Sequence, residues 1–255
     1  MEARKLIKVD VYLTPMHLEE MHLKDKNVVV IDVLSASTTV AAALKNGAKE
    51  IIPVNSVESV VKISSSLYGD VTLRAGERNG RMIEGFNLGN SPLEYSKEIV
   101  KGKSIILLTT NGSAAMVKGR YAKNLIVAGF VNLSTVVEFL SGLESDFIII
   151  CAGKEHRFCI EDTVCAGKII NRLREKLVND ELVTDDAGIA AAALDKAAGK
   201  NILAMLKGSE HGRYLTEIGF GADLKVCGGL DSIPILPLLS GNVIRLLEFN
   251  IKRSA

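Results

Sequence analysis

The feature that most constrains the fold is a series of short apolar segments separated by longer segments with helical periodicity. The apolar segments are residues 28–34, 50–54, 71–75, 104–108, 125–130 and 147–151. Most are continuous rather than alternating in polarity, which is typical of strands buried on both faces of a sheet. Helices are predicted between them, at residues 37–48, 56–66, 91–100, 113–120, 132–142 and 162–177. This alternation predicts a three-layer α/β/α fold with a mostly parallel or mixed central sheet.

The C-terminal third has a different pattern. Residues 183–207 are rich in alanine and predict two helices, residues 219–231 are rich in glycine, and residues 242–249 predict a last strand. The chain contains no internal repeat and no proline-rich linker, so we expect one domain over residues 1–255. The apolar character of this third makes it a candidate surface for a homo-oligomer.

Composition and charge exclude several function classes. Lys and Arg number 31 and Asp and Glu number 30, so the net charge of +1 gives no reason to expect nucleic acid as a partner. No segment approaches the ~18 consecutive apolar residues of a membrane-spanning helix. The four cysteines form no Cys-x-x-Cys pair, which disfavours a structural zinc site and favours buried thiols in a reducing compartment. We therefore expect a cytoplasmic protein without a membrane partner.

Polar side chains follow four of the predicted strands, where ligands bind in open α/β sheets. The first group is Asp32 with the hydroxyl side chains that come after it, of which Ser37 and Thr38 are candidates for substrate binding. A carboxylate at the end of an apolar strand must be paired or must bind a metal. The alternative is that Asp32 and the hydroxyls cap the next helix.

The second group is the stretch AGERNGRMIEGFNLGNSP, residues 75–92. Its glycines permit close approach of the backbone, and Arg78 and Arg81 could bind an oxyanion. Glu77 and Glu84 could bind a cation. A solvated surface loop is the alternative, but long ordered loops inside a domain are usually functional.

The end of the same stretch predicts a helix start. Ser91 would be the N-cap and the proline after it the first helical residue, which would leave free N–H groups at Asn90 and Ser91. Such a helix N-terminus favours the binding of an anion.

The third group, TTNGS, joins a predicted strand to a predicted helix. Its candidate substrate-binding residues are Thr110, Asn111, Gly112 and Ser113. A turn rich in glycine and hydroxyl groups can surround a phosphate, but the Gly-Lys-Ser/Thr ending of a Walker A loop is missing.

The fourth group is CAGKEHRFCIEDT, residues 151–163, in which Glu161 and Asp162 open a helix. Acidic residues are favoured at a helix N-terminus by its dipole, which is a structural explanation. Their spacing from Cys165 places both near the buried face, which favours a functional role. Carboxylates together with arginines and helix N-termini indicate Mg²⁺-assisted phosphoryl transfer or hydrolysis.

These motifs resemble the 2-phosphosulfolactate phosphatase family. The resemblance rests on DVLSASTT, AGERNGRMIEGFNLGNSP, LTTNGSAA, CAGKEHRFCIEDTVCAG and LTEIGFGADLKVC, from about residue 8 to residue 237. It implies a three-layer α/β/α fold and the hydrolysis of (R)-2-phospho-3-sulfolactate to sulfolactate and phosphate. It also implies Mg²⁺ as cofactor and a place in coenzyme M biosynthesis.

The resemblance also implies roles for single residues. Asp32 becomes a metal ligand or a nucleophile, Glu77 and Asp162 become catalytic, and Glu161 and Asp162 become further metal ligands. The remaining matches, expected to bind substrate, are Arg78, Asn87, Asn90, Ser91, Thr110, Asn111, Gly112 and Ser113, and Arg81 is expected to bind substrate because of its charge.

Three positions depart from the pattern of that family. Ser35 stands where Arg is usual, Asn87 where Asp is common, and Ser113 where Thr is usual. The alternatives are therefore a Mg²⁺-dependent phosphatase for another small acidic phosphoester, or a non-catalytic protein that binds a phosphorylated metabolite.

Overall fold

One mixed sheet of eleven strands forms the centre of the molecule. The structure, a computed structural model, describes residues 5–16, 18–66, 72–177 and 181–248. The strands are β1 (Leu6–Tyr12), β2 (Asn27–Ile31), β3 (Glu50–Val54), β4 (Thr72–Arg78), β5 (Arg81–Met82), β6 (Ser104–Leu108), β7 (Asn124–Ala128), β8 (Phe147–Cys151), β9 (Glu181–Thr184), β10 (Pro237–Ser240) and β11 (Val243–Leu246). Their order across the sheet is β5-β4-β6-β3-β11-β10-β7-β2-β8-β1-β9.

The sheet contains two parallel groups joined by an antiparallel hairpin. Strands β4, β6 and β3 are parallel to one another, as are β7, β2, β8, β1 and β9. The β10–β11 hairpin lies between the groups and is antiparallel to β7 on one side and to β3 on the other. The two groups therefore run in opposite senses along the sheet. The end of β6 in one group nevertheless lies against the end of β2 in the other, since the position of Gly112 borders the Asp32 carboxylate.

Helices cover both faces of this sheet. They are α1 (Ala36–Lys45), α2 (Val57–Ser66), α3 (Lys97–Val100), α4 (Gly112–Lys118), α5 (Leu133–Leu143), α6 (Ile160–Lys176), α7 (Asp186–Ala198), α8 (Ile202–Gly208), α9 (Glu210–Glu217) and α10 (Asp223–Cys227). Short 3₁₀ helices span Glu20–Leu23, Pro92–Glu94 and Phe130–Asn132.

The side chains of β2 show why three layers form. Val28 and Val30 point into a core shared with α1 and α4, whereas Val29 and Ile31 point into a core shared with α5, α6 and α7. Successive side chains of a strand face opposite sides, so a fully apolar strand requires a cover on each side. The predicted three-layer α/β/α fold with a mixed sheet is confirmed.

The prediction of one helix over residues 91–100 is wrong. The segment forms the 3₁₀ helix Pro92–Glu94 and the separate α3. Tyr95 lies between them, its side chain is fully buried, and its hydroxyl donates to the Gly89 carbonyl. The Tyr95 carbonyl accepts from the Asn46 amide instead of continuing a helix.

Two predicted strands extend beyond the described residues. Residue 71 of the predicted strand 71–75 lies outside them, and so does residue 249 of the predicted strand 242–249. All four cysteines are buried and free, as predicted. No helix in the described ranges is long and apolar enough to cross a membrane.

Candidate active site

Asp32 is the first residue after β2, and its side chain is 6% exposed. The turn that follows is held by two hydroxyl groups. Ser37 Oγ accepts from the Asp32 backbone N–H at 2.9 Å, and Thr38 Oγ1 donates to the Val33 carbonyl at 3.2 Å. Both hydroxyl groups are therefore engaged with the backbone of the turn before α1, but neither accepts from a free N–H of the helix as a cap would. Substrate binding by Ser37 and Thr38 stays a prediction.

The N-terminus of α4 lies directly against the Asp32 carboxylate. A Cβ atom added to Gly112 would lie 2.4 Å from Oδ2 of Asp32 and 2.5 Å from Cβ of Ala36. No side chain fits in that space, so the glycine allows the end of β6 to meet the end of β2. Ser113 stabilises the same turn, because its Oγ accepts from the Thr109 N–H at 2.8 Å.

The environment of Asp32 disfavours its charged form. Burial raises the pKa of Asp32 to about 7, and the charges of Glu77 and Glu161 act in the same direction, whereas His211 opposes them. A carboxyl group with a pKa near neutrality can exchange a proton at ordinary pH.

Glu77 connects the end of β4 to the end of β6. Its Oε1 accepts from the Thr110 N–H at 2.6 Å, and its Oε2 accepts from the Gly80 N–H at 2.8 Å and from Thr110 Oγ1 at 3.2 Å. With both oxygens occupied, Glu77 holds the loop before β5 against the TTNGS turn. Beside that turn, Asn111 Oδ1 accepts from the Glu155 N–H.

Asp162 connects the ends of β2 and β8. Its Oδ1 accepts from the Val33 N–H at 2.9 Å, and its Oδ2 accepts from the Gly153 N–H at 3.0 Å. Burial, followed by the charges of Asp32 and Glu161, raises the pKa of Asp162. The residue lies in the first turn of α6 and is 2% exposed, so the predicted buried position is confirmed.

Glu161, also in the first turn of α6, pairs with a histidine. Its Oε1 lies 3.3 Å from Nδ1 of His211, yet this buried oxygen accepts no well-aligned hydrogen bond. Burial works against ionisation of Glu161, but the contacts with His211 outweigh it and lower the pKa of the carboxyl. The Cys159 thiol is adjacent, and burial, followed by the charges of Asp162 and Glu161, raises its pKa.

The stretch 75–92 reaches the same place through its last residues. The Asn90 carbonyl accepts from Ser35 Oγ and from Thr39 Oγ1, both at 2.7 Å, while its side-chain Oδ1 is buried without a hydrogen-bond donor. Ser91 Oγ donates to Oδ1 of Asp223 at 2.7 Å rather than capping a long helix. Burial raises the pKa of Asp223.

These groups surround one polar pocket. Six of the predicted site residues line it, namely Asp32, Glu77, Asn90, Ser91, Thr110 and Asn111. Six other predicted site residues do not line the pocket but lie next to residues that do, namely Glu161, Asp162, Gly112, Ser113, Ser37 and Thr38. Arg78, Arg81 and Asn87 are exposed and do not line the pocket, and Asn87 Oδ1 accepts from the Arg74 N–H.

Four of the pocket residues from outside the predicted site bring ionisable or aromatic groups from later parts of the chain. Lys154 lies over the Tyr214 ring, with Nζ 4.7 Å from the ring centroid, and is the single lysine or arginine of the lining among the described residues. His211, Tyr214 and Asp223 arrive from α9 and α10. In the sequence these residues have only weak signals, a polar SEH run and one aspartate in a glycine-rich segment.

A sequence profile of the 2-phosphosulpholactate phosphatase family matches residues 12–242. The chain belongs to this family. A probable 2-phosphosulfolactate phosphatase of Caldanaerobacter subterraneus subsp. tengcongensis is 41% identical over 92% of this chain and 96% of the relative. Proteins with the same description in Thermotoga maritima and Synechocystis sp. are 39% and 38% identical, over 94% and 91% of this chain and 99% and 95% of each relative.

The three departures from the family pattern have different positions in the fold. Ser35 lines the pocket and holds the Asn90 carbonyl, so an arginine contact is absent inside the pocket. Asn87 is outside the pocket, and Ser113 keeps the hydroxyl that braces the TTNGS turn. Of the three, only Ser35 lies where it would meet a ligand.

The donor set suits the Mg²⁺ that this family implies. Mg²⁺ prefers oxygen ligands and binds through one or two carboxylates together with phosphate oxygens. The buried Glu161 Oε1 has no well-aligned donor, and burial raises the pKa of the neighbouring Asp32 carboxylate, so a cation would relieve both. The oxygens of Asp162 already accept backbone N–H groups, so Asp32 and Glu161 are the better candidates.

Proposed function

We propose that this protein is a Mg²⁺-dependent phosphatase that hydrolyses (R)-2-phospho-3-sulfolactate to sulfolactate and phosphate, as a step of coenzyme M biosynthesis. The buried Asp32 carboxylate in a polar pocket, with the oxygen of Glu161 behind it, carries the proposal. The names of the relatives, probable 2-phosphosulfolactate phosphatases, support the substrate. Four free, buried thiols support a cytoplasmic location.

Asp32 is assigned the proton transfer. Hydrolysis forms a bond from a water oxygen to phosphorus and breaks the bond from phosphorus to the substrate alkoxide. The water loses one proton and the alkoxide needs one, so a single carboxylate can accept the first and supply the second. The pKa of about 7 belongs to the metal-free carboxyl, and a bound cation would lower it.

Asp32 and Glu161 would hold Mg²⁺, and Glu77 and Asp162 would keep the surrounding loops in place through their backbone hydrogen bonds. Bound Mg²⁺ supplies positive charge that neutralises phosphate oxygens. The charge balance of the pocket supports a requirement for a bound cation. Asp32, Glu77, Glu155 and Asp223 line it, against Lys154 and His211, so a phosphoester with further acidic groups would otherwise be repelled.

Lys154 is assigned to an acidic group of the substrate distant from phosphorus. Its ammonium group is held over the face of Tyr214 and lies 3.5 Å from Glu210. The sulfonate and the carboxylate of the substrate each require a cationic partner. A substrate whose only acidic group is the phosphate would offer Lys154 no such second anionic partner.

The experiment that tests the function is a phosphate-release assay over small phosphoesters, with and without Mg²⁺. We expect phosphosulfolactate to be hydrolysed fastest and chelation to abolish its turnover. Preference for a different acidic phosphoester would establish the alternative substrate. Binding without hydrolysis of any compound would favour a non-catalytic protein.

The variant Asp32→Asn tests the assignment of the carboxylate. Asparagine keeps the shape of the side chain but cannot accept the proton, so we expect turnover to be lost while circular dichroism and substrate binding remain. Asp10→Asn is the matched control, because Asp10 lies in β1, where its carboxylate pairs with Lys8 and does not line the pocket. Near-normal phosphate release by Asp32→Asn would remove Asp32 from the mechanism.

A further inference from the structure

Three side chains beside the pocket, of which His211 also lines it, combine sulfur, nitrogen and oxygen donors. Ligand atoms of Cys159, Glu161 and His211 all lie within 4.8 Å of one another. Cys159 is the residue before α6, Glu161 lies in the first turn of α6, and His211 lies in the first turn of α9. We call this group the Cys159–Glu161–His211 cluster.

The fold fixes the positions of these side chains. Thr163 Oγ1 donates to the Cys159 carbonyl at 2.8 Å, which anchors the start of α6. Ser209 Oγ accepts from the Gly212 N–H at 2.9 Å, which caps α9 next to His211. Two anchored helix starts therefore hold the three donors close together without a contribution from a flexible loop.

The hydrogen bonding of the cluster is incomplete. Glu161 is 1% exposed, and its Oε1 lies 3.3 Å from His211 Nδ1 without accepting a well-aligned hydrogen bond. A buried carboxylate oxygen without a donor is costly unless a cation occupies its free lone pairs. The ion pair with His211 is therefore long and poorly aligned, which leaves the oxygen with a lone pair that a cation can occupy.

We propose that the Cys159–Glu161–His211 cluster binds a thiophilic divalent cation of the Zn²⁺ or Co²⁺ type. Tetrahedral Zn²⁺ with bonds of about 2.0–2.3 Å places its ligand atoms about 3.3–3.7 Å apart, so the cluster needs only a small contraction to fit. Binding releases the thiol proton to solvent, because the thiolate is the metal ligand.

The site leaves room for a fourth ligand. A second pocket, which shares Lys154 and His211 with the first, is lined by all three members of the cluster together with Arg157 and Phe158. Three protein ligands with one open position are typical of zinc sites that bind water or an exchangeable ligand. The second pocket is also the route by which the cation enters.

This site differs in chemistry from the Mg²⁺ set, although Glu161 belongs to both. Thiolate and imidazole donors favour Zn²⁺ and Co²⁺, whereas Mg²⁺ binds oxygen donors. Excess Mg²⁺ should therefore fail to displace Co²⁺ from Cys159 and His211. The inference does not depend on the proposed phosphatase reaction, since its test involves no turnover.

The test is a titration of the metal-free protein with Co²⁺, followed by absorption spectroscopy. We expect one equivalent to bind, with a thiolate-to-Co²⁺ charge-transfer band in the near ultraviolet. Zn²⁺ should abolish the cobalt spectrum, and millimolar Mg²⁺ should leave it unchanged. A spectrum with no thiolate band, or one that Mg²⁺ abolishes, would overturn the proposal.

Matched variants identify the ligands. Cys159→Ser should remove the charge-transfer band, and His211→Ala should weaken Co²⁺ binding by about tenfold or more. Cys227→Ser and His156→Ala, a buried thiol on α10 and an exposed imidazole, should change neither. If Cys159→Ser does not fold by circular dichroism, His211→Ala decides, and unchanged Co²⁺ affinity in that variant contradicts the site.

Discussion

Gly112 is the residue whose lack of a side chain shapes the pocket most directly. A methyl group at this position would meet the Asp32 carboxylate and the Ala36 side chain at 2.4–2.5 Å. Gly112→Ala must therefore push the end of β2 and the start of α4 apart. We expect kcat to fall about 100-fold, because a displacement of about 1 Å at a catalytic group can cost that much.

The control for this prediction is Gly142→Ala. Gly142 lies within α5, and a Cβ atom there meets nothing within 4 Å. Alanine should raise the free energy of unfolding by roughly 0.5–1 kcal/mol and leave kcat unchanged. Equal kcat values for the two variants would show that the contact between Gly112 and Asp32 is unimportant for the reaction.

Lys154 and the two exposed arginines offer competing ways to bind the acidic groups of the substrate. Lys154 lines the pocket, whereas Arg78 and Arg81 do not. We expect Lys154→Gln to lower kcat/KM for phosphosulfolactate by roughly 10- to 150-fold, the equivalent of about 1.5–3 kcal/mol for a charged hydrogen bond. The loss should appear mainly in KM, and it should be smaller for a phosphoester without a second acidic group.

Arg81→Gln is the matched control for Lys154→Gln. It removes one exposed positive charge from β5, in the stretch 75–92 that also carries Glu77. Its kcat/KM should remain within about twofold of the wild-type value, in line with the small effect of most exposed charges. A larger loss in Arg81→Gln than in Lys154→Gln would transfer the role to the arginines, as the sequence pattern predicts.

At the scale of elements, the β10–β11 hairpin joins the two parallel groups of strands, and one ion pair fastens it to β3. Arg245 Nε and Nη2 donate to Oε2 of Glu50 at 3.1 and 2.5 Å, and Ser104 Oγ donates to Oε1 of Glu50 at 2.9 Å. Glu50 is 7% exposed. The Arg245 side chain is 58% exposed, so solvent screens the pair in part, but Arg245→Ala leaves the buried carboxylate with one of its two side-chain partners. We expect the free energy of unfolding to fall by about 1–2 kcal/mol.

Arg120→Ala provides the comparison, because Arg120 pairs with Glu20 where both side chains are more than one-third exposed. Exposed pairs contribute at most about 1 kcal/mol. Urea unfolding of the two variants measures the difference. Equal destabilisation of the two variants would mean that the contact of Arg245 with Glu50 stabilises the fold no more than an exposed ion pair does.

Sequence patterns predict the buried elements of this fold better than the exposed ones. β3, β6 and β8 have the predicted bounds, because a continuous apolar run needs no knowledge of its partner. The signals of β1 and β10 are weak, because β1 includes the polar residues Lys8 and Asp10 and β10 has four residues. Whether such segments form strands depends on pairing with strands distant in the sequence. The helix predicted over residues 91–100 fails because tertiary contacts of Tyr95 outweigh local propensity.

At the scale of the whole molecule, the sequence predicts which strand ends carry chemistry but not which of them meet. Asp32, Glu77 and Thr110 follow strands from two groups that run in opposite senses, yet they line one pocket, and side chains of both groups share a core with α1. His211 and Asp223 enter from helices more than 130 residues after Asp32 in the chain. The approach of these two side chains to the pocket depends on how α9 and α10 pack. The local periodicity of the sequence does not predict this packing.

The buried acidic cluster also makes a prediction for the stability of the whole molecule. The pKa of Asp32 is about 7 in the folded protein and 3.8 in the reference state, chiefly because of burial. Between these pH values the folded chain holds a proton that the unfolded chain has lost, so raising the pH destabilises the fold. The contribution of Asp32 to the free energy of unfolding is present below pH 4 and is lost by about pH 7.

Asp32→Asn removes this contribution, because asparagine does not titrate, together with the part of the raised pKa of Asp162 that comes from the Asp32 charge. A pKa unit corresponds to about 1.36 kcal/mol, so the variant should gain on the order of 4 kcal/mol relative to the wild type between pH 4 and pH 7, in the absence of metal. Thermal unfolding across this range, with a chelator present, measures the difference. Millimolar Mg²⁺ should restore the stability of the wild-type protein at pH 7 and have little effect on the stability of the variant. A difference in stability that does not depend on pH would mean that Asp32 is ionised without a metal, and the charge-based reason for placing Mg²⁺ at Asp32 would then be lost.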